Sequence, residues 1–374
     1  MTAPSSANRS PTSLHDLSFE VTEALDPLQE DWGRLADESD NLFATWEWVS
    51  TWWRCFGREG TARIATCRSP DGRLVAVVPL HRQSVHGLQI LRFLGHGPGD
   101  QLGPVCSPRD RDHVGRSLRQ FLREELEDWN LFLGENLPGS ENWSAEPGAT
   151  VLARRATPVM RPVAGGWEGF LASRSANFRQ QVRRRERNAF RRNDASYRLV
   201  TKSDRLQDEL DILFRLHRMR WGREQTGFTS YEEFHRQFAE LAHERGWLRL
   251  WFVEFGKQPV AAWYGFRFAN VEYYYQAGRD PQAAQEAAGF VLLAHTMKAA
   301  IEDGVREYRL LQGDEAYKNR FATEDLGLQT VGFARGIAGR LALLAGSSSV
   351  PWNPVKRLAR RLLTSGEATD QRAT

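Results

Sequence analysis

The segment GDEAYKNRFA, residues 313–322, sets a carboxylate, a phenol and an ammonium beside a glycine. Asp314 can accept a proton or orient an amine, Tyr317 can donate a proton to a leaving group, and Lys318 can hold a phosphate or a developing oxyanion. The same residues also suit a solvated helix cap begun by Asp314, and on local sequence both readings stand. A second candidate lies just upstream. VEYYYQAG alternates as a strand does, RDPQAAQEAA reads as a loop, and Phe290, Leu293, Ala294, Met297 and Ile301 then form one stripe of a helix running from about Gly289 to Gly304. The first N–H groups of such a helix lack partners within it and attract anions, pyrophosphate included. Ala287, Ala288 and Gly289 are small enough for a phosphate to approach the backbone, although a small-residue helix start equally serves close packing.

Two basic segments could meet phosphate. Between Arg174 and Arg192 there are eight arginines and a single acid, Glu186, with Phe178, Val182, Ala189 and Phe190 on an apolar side. Arginine suits bidentate phosphate contacts, so this segment fits a phosphate-binding surface as well as a solvated helix docked by its apolar side. WNPVKRLARRLL, residues 352–363, sets Trp352, Val355, Leu358 and Leu362 against Lys356, Arg357, Arg360 and Arg361. Such a helix can lie on an anionic membrane surface or pack on the protein body.

Other chemistry is excluded by spacing. Walker A, Gly-x-Ser-x-Gly and His-Glu-x-x-His patterns are absent, and GHGPGD at 95–100 has the wrong spacing for a dinucleotide loop, so it reads as a simple turn. Cys55, Cys67 and Cys106 are odd in number and lie in no metal spacing; they read as free thiols of a reducing compartment, with no metal site. His217, beside Arg220 and Trp221, reads as a helix-face histidine with a structural partner. The net charge of +3 is left over from 50 basic and 47 acidic residues, which argues against a uniformly basic nucleic-acid binder. The 13 Trp and 20 Phe are read mainly as core.

The elements that must hold these groups suggest two lobes, as does a length of 374 residues. In the first, FATWEWVSTWWRCF reads as a buried aromatic helix, TARIATC and LVAVVPL as a hairpin turning at Asp71-Gly72, LQILRFLG as a strand, residues 110–128 as an amphipathic helix and WNLFLGEN as a further strand. The loop PGSENWSAEPGAT suits a boundary. In the second, SYRLVTK is a strand, RLQDELDILFRLHRMRW and YEEFHRQFAELAHERG are helices, and LRLWFVEF, PVAAWYGFRF and VEYYYQAG are consecutive antiparallel strands before the helix near 289. EYRLLQ follows as a strand. The polar start of the chain, 1–17, reads as a disordered arm without a signal peptide's apolar run, and IAGRLALLAG is too short for a membrane span.

The order from YYYQAG through the final strand into Gly313-Asp314-x-x-Tyr317-Lys318, with Glu315 in the third place, resembles the FemAB and CelD-like (BioF2-like) group of the GCN5-related N-acyltransferase (GNAT) superfamily. SRSANFRQQVRRRERNAFRR resembles the arginine-rich helix before that group's second lobe, and FATWEWVSTWWRCFG its opening aromatic helix; together these cover about residues 18–335. The resemblance implies an α/β fold of two GNAT-like acyltransferase lobes, 18–150 and 151–336, with mixed, mostly antiparallel sheets flanked by helices, and a basic amphipathic tail at 337–374. It implies catalytic Asp314, Tyr317 and Lys318, an acyl-CoA site from Gln276, Gly278, Gln285, Ala287, Ala288, Gly289 and Phe290, and substrate contacts from Arg179, Arg183, His217, Arg220 and Trp221. The family's pyrophosphate loop, Arg/Gln-x-x-Gly-x-Gly/Ala, reads here Gln285-Glu-Ala-Ala-Gly-Phe290, with Ala288 in place of the first glycine. The expected function is therefore acyl transfer from acyl-CoA to an amine or hydroxyl of an envelope, polysaccharide or secondary-metabolite precursor. Related transferases without the full loop use aminoacyl-tRNA, which makes a tRNA-dependent peptidyl transferase the second reading, and a non-catalytic partner of a polysaccharide assembly is the third. The expected location is cytoplasmic, with a glycan- or lipid-linked acceptor and peripheral membrane contact through the basic tail.

Overall fold

Apolar alternation and Gly72 at φ +83° fold the hairpin of β2 (Gly60–Arg68) and β3 (Leu74–Val85), around which the first sheet is built. The computed structural model describes residues 17–69, 71–141, 148–222, 227–283 and 285–346; the N-terminal arm through residue 16 and the tail from residue 347 lie outside them. β1 (Ser18–Thr22) flanks β2, and β4 (Leu88–Phe93) continues the meander from β3. The short β5 (Val105–Cys106) pairs with β3, α3 (Arg111–Glu124) crosses over, and β6 (Leu131–Pro138) returns parallel to β4. Ahead of β2 lie α1 (Gln29–Ser39) and the aromatic helix α2 (Trp46–Phe56), whose first turn is capped by the Thr45 hydroxyl accepting from Trp48 N–H at 3.2 Å.

After β7 (Thr150–Arg155) the chain enters the second sheet at β8 (Pro158–Met160), followed by α4 (Gly166–Ala172) and the arginine-rich α5 (Ala176–Asn193). Next come β9 (Ala195–Leu199), α6 (Leu206–Trp221), α7 (Gly227–Ser230) and α8 (Glu232–Glu244), then the meander β10 (Leu248–Phe255), β11 (Gln258–Phe268) and β12 (Val271–Arg279). α9 (Ala288–Glu302) crosses over to β13 (Glu307–Arg309), parallel to β12; α10 (Ala316–Phe321), β14 (Glu324–Asp325), β15 (Leu328–Ala334) and α11 (Gly336–Gly346) complete the described chain.

The two sheets run β1-β2-β3-β4-β6-β15-β7 and β14-β8-β13-β12-β11-β10-β9. Each holds four antiparallel strands, a helical crossover and a parallel fifth strand, so the repeat that is invisible between the two halves of the sequence is plain in the topology. The division at residues 150/151 and 336 needs correction as a description of the sheets. β7 and β15 both belong to the first sheet, with β15 pairing β6 from Leu328↔Pro138 to Ala334↔Leu131, so the second sheet is inserted between two strands of the first. The reason is the burial of Leu328 and Val331 against the first sheet.

Helix α2 joins the lobes. The buried Trp48 meets Phe234 and Phe238 of α8 edge-on, with ring centroids 4.8 and 4.6 Å apart, in a core that draws residues from both lobes. Behind this core α6 lies on β12 with almost no clearance: a Cβ on Gly278 would sit 2.4 Å from the backbone N of His217 and 2.6 Å from the carbonyl carbon of Leu216. Backbone cannot rotate aside as a side chain can. Gly278→Val is therefore expected to cost about 3 kcal/mol or more by forcing α6 off the sheet, and a urea midpoint unchanged from that of the wild type would refute this packing.

Candidate active site

β12 and β13 are hydrogen-bonded side by side only at Val271↔Glu307, Glu272↔Tyr308 and Tyr273↔Arg309. Beyond that point β13 stays with β8, as Leu310 N–H donates to the Pro158 carbonyl, and the chain turns at Leu311, φ +57°. β12 runs on to Arg279, so Tyr274–Arg279 present an edge with no strand partner on that side among the described residues. A bulge at Tyr275 on β12, opposite the Tyr264–Gly265 step of β11, adds to the divergence. The result is a wedge between two parallel strands that opens toward the start of α9.

Tyr317 reaches this wedge from α10, with its hydroxyl 3.5 Å from that of Tyr274; burial, then the neighbouring Tyr274, pushes its phenol well above the ordinary tyrosine range. Lys318 is buried. Its ammonium donates to the Gln312 carbonyl and to Glu315 Oε2, the latter at 3.1 Å, so two of its three N–H bonds hold its own loop and not a ligand. Gly313 is required where it stands: at φ +125° a Cβ would lie 2.1 Å from Glu315 Oε2 and 2.8 Å from Lys318 Nζ. Asp314 is exposed at the outer rim.

The residue that the sequence reading passed over is Asp100. Its loop is a turn, as expected, with Gly95 at φ +88° and Gly97 at +86°, but it is docked across the wedge. Tyr275 Oη on β12 donates to the Pro98 carbonyl at 2.8 Å; on the opposite side Gln312 N–H donates to Asp100 Oδ2 at 2.7 Å. Burial raises the Asp100 carboxyl to about 6, against the opposing pull of the Gln312 N–H, Lys318 and Arg155. A carboxyl held near neutrality beside a cleft has the properties of a general base. No local motif signals it, because its hydrogen-bond partner Gln312 lies more than 200 positions away along the chain.

At the wide end of the wedge α9 begins at the buried Ala288, preceded by its N-cap Ala287 at φ +53°, with Gln285 exposed. Phe290 packs against Phe178 and Phe321, and the guanidinium groups of Arg185 and Arg320 lie 4.6 and 5.7 Å from its ring centroid. Burial, then the charges of Arg320 and Arg184, lowers the Arg185 pKa: positive groups crowd each other at a helix N-terminus, and an anion there would relieve them. Two of the three arginines expected to contact substrate make contacts within the protein. Arg179 donates to the Arg174 carbonyl at 2.5 Å, and Arg183 pairs with Glu168 at 2.7 Å, although both, with Gln180, Arg184 and Arg187, line an open groove of about 370 Å³ on the outer side of α5. The helical phase of Phe178, Val182 and Ala189 could have identified Arg185, which shares their inward face.

The remaining candidates separate. Gln276 accepts from the Ala277 N–H at 2.9 Å on the open edge of β12, while Gly278 serves the contact with α6. Arg220 stacks on the exposed Trp221 at 4.5 Å, and its charge acts on Tyr317, so these two lie toward the wedge. His217 does not reach it. It is 1% exposed under Phe228, both ring nitrogens lack hydrogen-bond partners, and burial, then Arg220 and Arg218, lowers it to about 4; the expected substrate contact gives way to a neutral imidazole in the core.

Residues 176–319, from the start of α5 through most of α10, match the model of the acetyltransferase (GNAT) domain family. No curated protein matches the chain by sequence. Among solved structures, FemX is similar over 85% of this chain and 98% of its own, with a TM-score of 0.60 at 10% identity. L-PGS from Bacillus licheniformis is similar over 87% of this chain and 98% of its own, with a TM-score of 0.52 at 11% identity. The wedge between parallel strands, the helix that starts at its mouth and the domain match converge on one part of the chain: residues 176–319 carry an acetyltransferase (GNAT) domain, and the chain around it shares the fold of FemX and L-PGS.

Proposed function

We propose that the protein transfers an acyl group from acyl-CoA to an amine or hydroxyl of an envelope, polysaccharide or secondary-metabolite precursor, in the wedge between β12 and β13. The observation that carries this reading is the unpaired edge Tyr274–Arg279, which offers backbone N–H groups to a carbonyl oxygen beside a phenol and a base. The acceptor nitrogen or oxygen attacks the thioester carbonyl carbon and gives up its proton to Asp100. The tetrahedral oxyanion is stabilised by strand N–H groups; as it collapses the C–S bond breaks and the departing thiolate takes the Tyr317 hydroxyl proton. Asp314, at the rim, is placed to orient an acceptor amine, and Lys318 keeps the Gln312 loop, and through it Asp100, in position.

For the donor, the small residues Ala287, Ala288 and Gly289 and the Arg185–Arg320 pair suit a diphosphate despite the missing loop glycine. Arg185→Ala with Arg320→Ala is expected to weaken acetyl-CoA binding about 10- to 100-fold with the fold intact; calorimetric titration measures it, and equal affinity in the double variant removes these residues from the site. The outer arginine groove of α5 favours a second reading, aminoacyl-tRNA as donor, with a ribose hydroxyl as leaving group in place of the thiol. No acyl-CoA binding together with steeply salt-dependent tRNA binding would replace the first reading by the second. Both donors belong to the cytoplasm, which is where we place the protein; no described helix is long and apolar enough to cross a membrane.

A further inference from the structure

A cavity of about 290 Å³, the size of the smaller ligand pockets, lies in the first lobe between the end of α2 and strands β2 to β4, with Trp52, Phe56, Gly60, His81, Arg92 and His96 in its walls. It is distinct from the wedge. In the loop after β4, His96 lines this cavity, while Pro98 and Asp100 are held at the wedge by Tyr275 and Gln312. Arg92 is 4% exposed and gives Nε and Nη2 to Glu135 at 2.9 and 2.6 Å; its Nη1 has no hydrogen bond among the described residues. A buried guanidinium with N–H groups to spare in a cavity wall calls for an acceptor.

The two histidines add a second donor. Their rings stack with centroids 5.0 Å apart and their Nε2 atoms lie 2.9 Å apart, so one Nε2 donates to the other. Both rings are neutral at neutral pH, because burial, then Arg92, lowers His81 to about 3 and His96 well below the usual range. His96 Nδ1 is buried without a partner. A proton on it would be stranded in the interior, which folded proteins avoid, so His96 carries its proton on Nε2 and gives it to His81, whose own proton is then on Nδ1. Access to that atom passes Gly60. The backbone there is ordinarily extended, φ −137°, yet a Cβ would lie 3.2 Å from His81 Nδ1 and 3.0 Å from the Arg82 carbonyl oxygen. The missing side chain leaves His81 Nδ1 and Arg92 Nη1 as donors in one cavity wall. A guanidinium already half neutralised by Glu135 matches a single negative charge better than a phosphate dianion. Trp52 and Phe56, with ring centroids 5.7 Å apart, offer a surface to a flat apolar ligand.

We propose that this cavity binds a small carboxylate with a planar apolar body, the carboxylate on Arg92 Nη1 and His81 Nδ1 and the body against Trp52 and Phe56, beside the loop that carries Asp100. The inference does not depend on acyl transfer, and its test uses no acyl donor. The probe is benzoate, with benzamide and inorganic phosphate for comparison. Binding to the full chain is read by calorimetric titration and by the rate at which N-ethylmaleimide alkylates Cys55, which lines the cavity half-buried, whereas Cys67 and Cys106 are 0% exposed. Benzoate is expected to bind and to slow the alkylation of Cys55; benzamide, which has the oxygen but not the charge, binds about tenfold more weakly, and phosphate does not bind. Gly60→Ala, which covers His81 Nδ1, and His81→Phe, which removes it, are each expected to weaken benzoate about tenfold with an unchanged circular dichroism spectrum. Benzoate that neither binds nor protects Cys55, benzamide or phosphate that binds as well as benzoate, or a folded variant that binds benzoate as the wild type does, overturns the proposal. Should a variant fail to fold, the protection of Cys55 in the wild type decides alone.

Discussion

Asp100→Asn is expected to make the protein more stable above pH 6 and nearly inactive. An ordinary aspartate releases its proton near 3.8, which is also where the unfolded chain releases it, whereas the folded protein holds it to about 6. Between those values the unfolded state loses the proton first and gains relative stability. The contribution of this group is thus most favourable below about pH 4, falls as pH rises toward 6, and stays low above it. Asparagine keeps an oxygen to accept the Gln312 N–H and never ionises, so the stability difference between variant and wild type should grow between pH 4 and 6 and then level off. A plateau of about 1–3 kcal/mol is expected. Urea unfolding at several pH values measures it; a difference that does not vary with pH would mean that the carboxyl ionises normally. In the transfer reaction the wild-type rate should rise through about pH 6, while the variant loses about 10²- to 10⁴-fold in kcat/KM. A variant that keeps both the rate and its pH profile would place the base elsewhere, Asp314 being the next candidate.

Arg309→Ala is expected to have the largest effect on stability of any single side-chain truncation at the joint of the lobes. Arg309 is 9% exposed on β13 and donates to Asp40 Oδ1 at 2.9 Å, to the Asp40 carbonyl at 3.2 Å, to Tyr273 Oη at 3.2 Å and to Glu307 Oε2 at 3.2 Å. Asp40 is on the first lobe, as is Gln101, whose Oε1 accepts from Arg309 at 3.4 Å; Tyr273 and Glu307 are on the second. Removing the guanidinium leaves Glu307, almost wholly buried, with only Arg161 at 3.8 Å, and the Asp40 carboxylate with Arg306. Unpairing a buried ion in this way costs about 3–5 kcal/mol. Denaturation followed by tryptophan fluorescence should show a lower midpoint and, because Asp40 and Tyr273 no longer share a partner, less cooperative loss of the two lobes. A midpoint within about 1 kcal/mol of the wild type would mean that the network contributes little.

Much of the fold was legible in the sequence because its signals are local. The period-2 runs from Leu248 to Arg279, the period-3.6 stripe of α9 and the capped aromatic helix α2 each depend on residues within a few turns of one another. The Gly313–Lys318 segment was also recognisable, and its glycine has a local cause in the positive φ and the crowding by Glu315 and Lys318. The function of Lys318 was not, since which of its neighbours takes its N–H groups depends on where α10 settles. The arginine run was visible but not its orientation. Only the packing of Phe178 and Phe290 distinguishes Arg185, turned toward α9, from Arg183, turned out to Glu168.

What the sequence by itself determined is the kind of protein: an α/β transferase of two lobes, with a strand, an anion-ready helix start and a Gly-Asp-x-x-Tyr-Lys segment in that order. The tertiary structure alone decided how the lobes join. β15 returns to the first sheet because its buried side chains complete that core, so the second lobe is anchored at both ends. Asp100 faces Gln312 across more than 200 residues because the Gly95–Gly103 turn docks on the wedge. Such pairings carry no periodicity and no local spacing. They arise from the burial of surfaces that meet only after each lobe has formed, and a linear reading has no means of registering them.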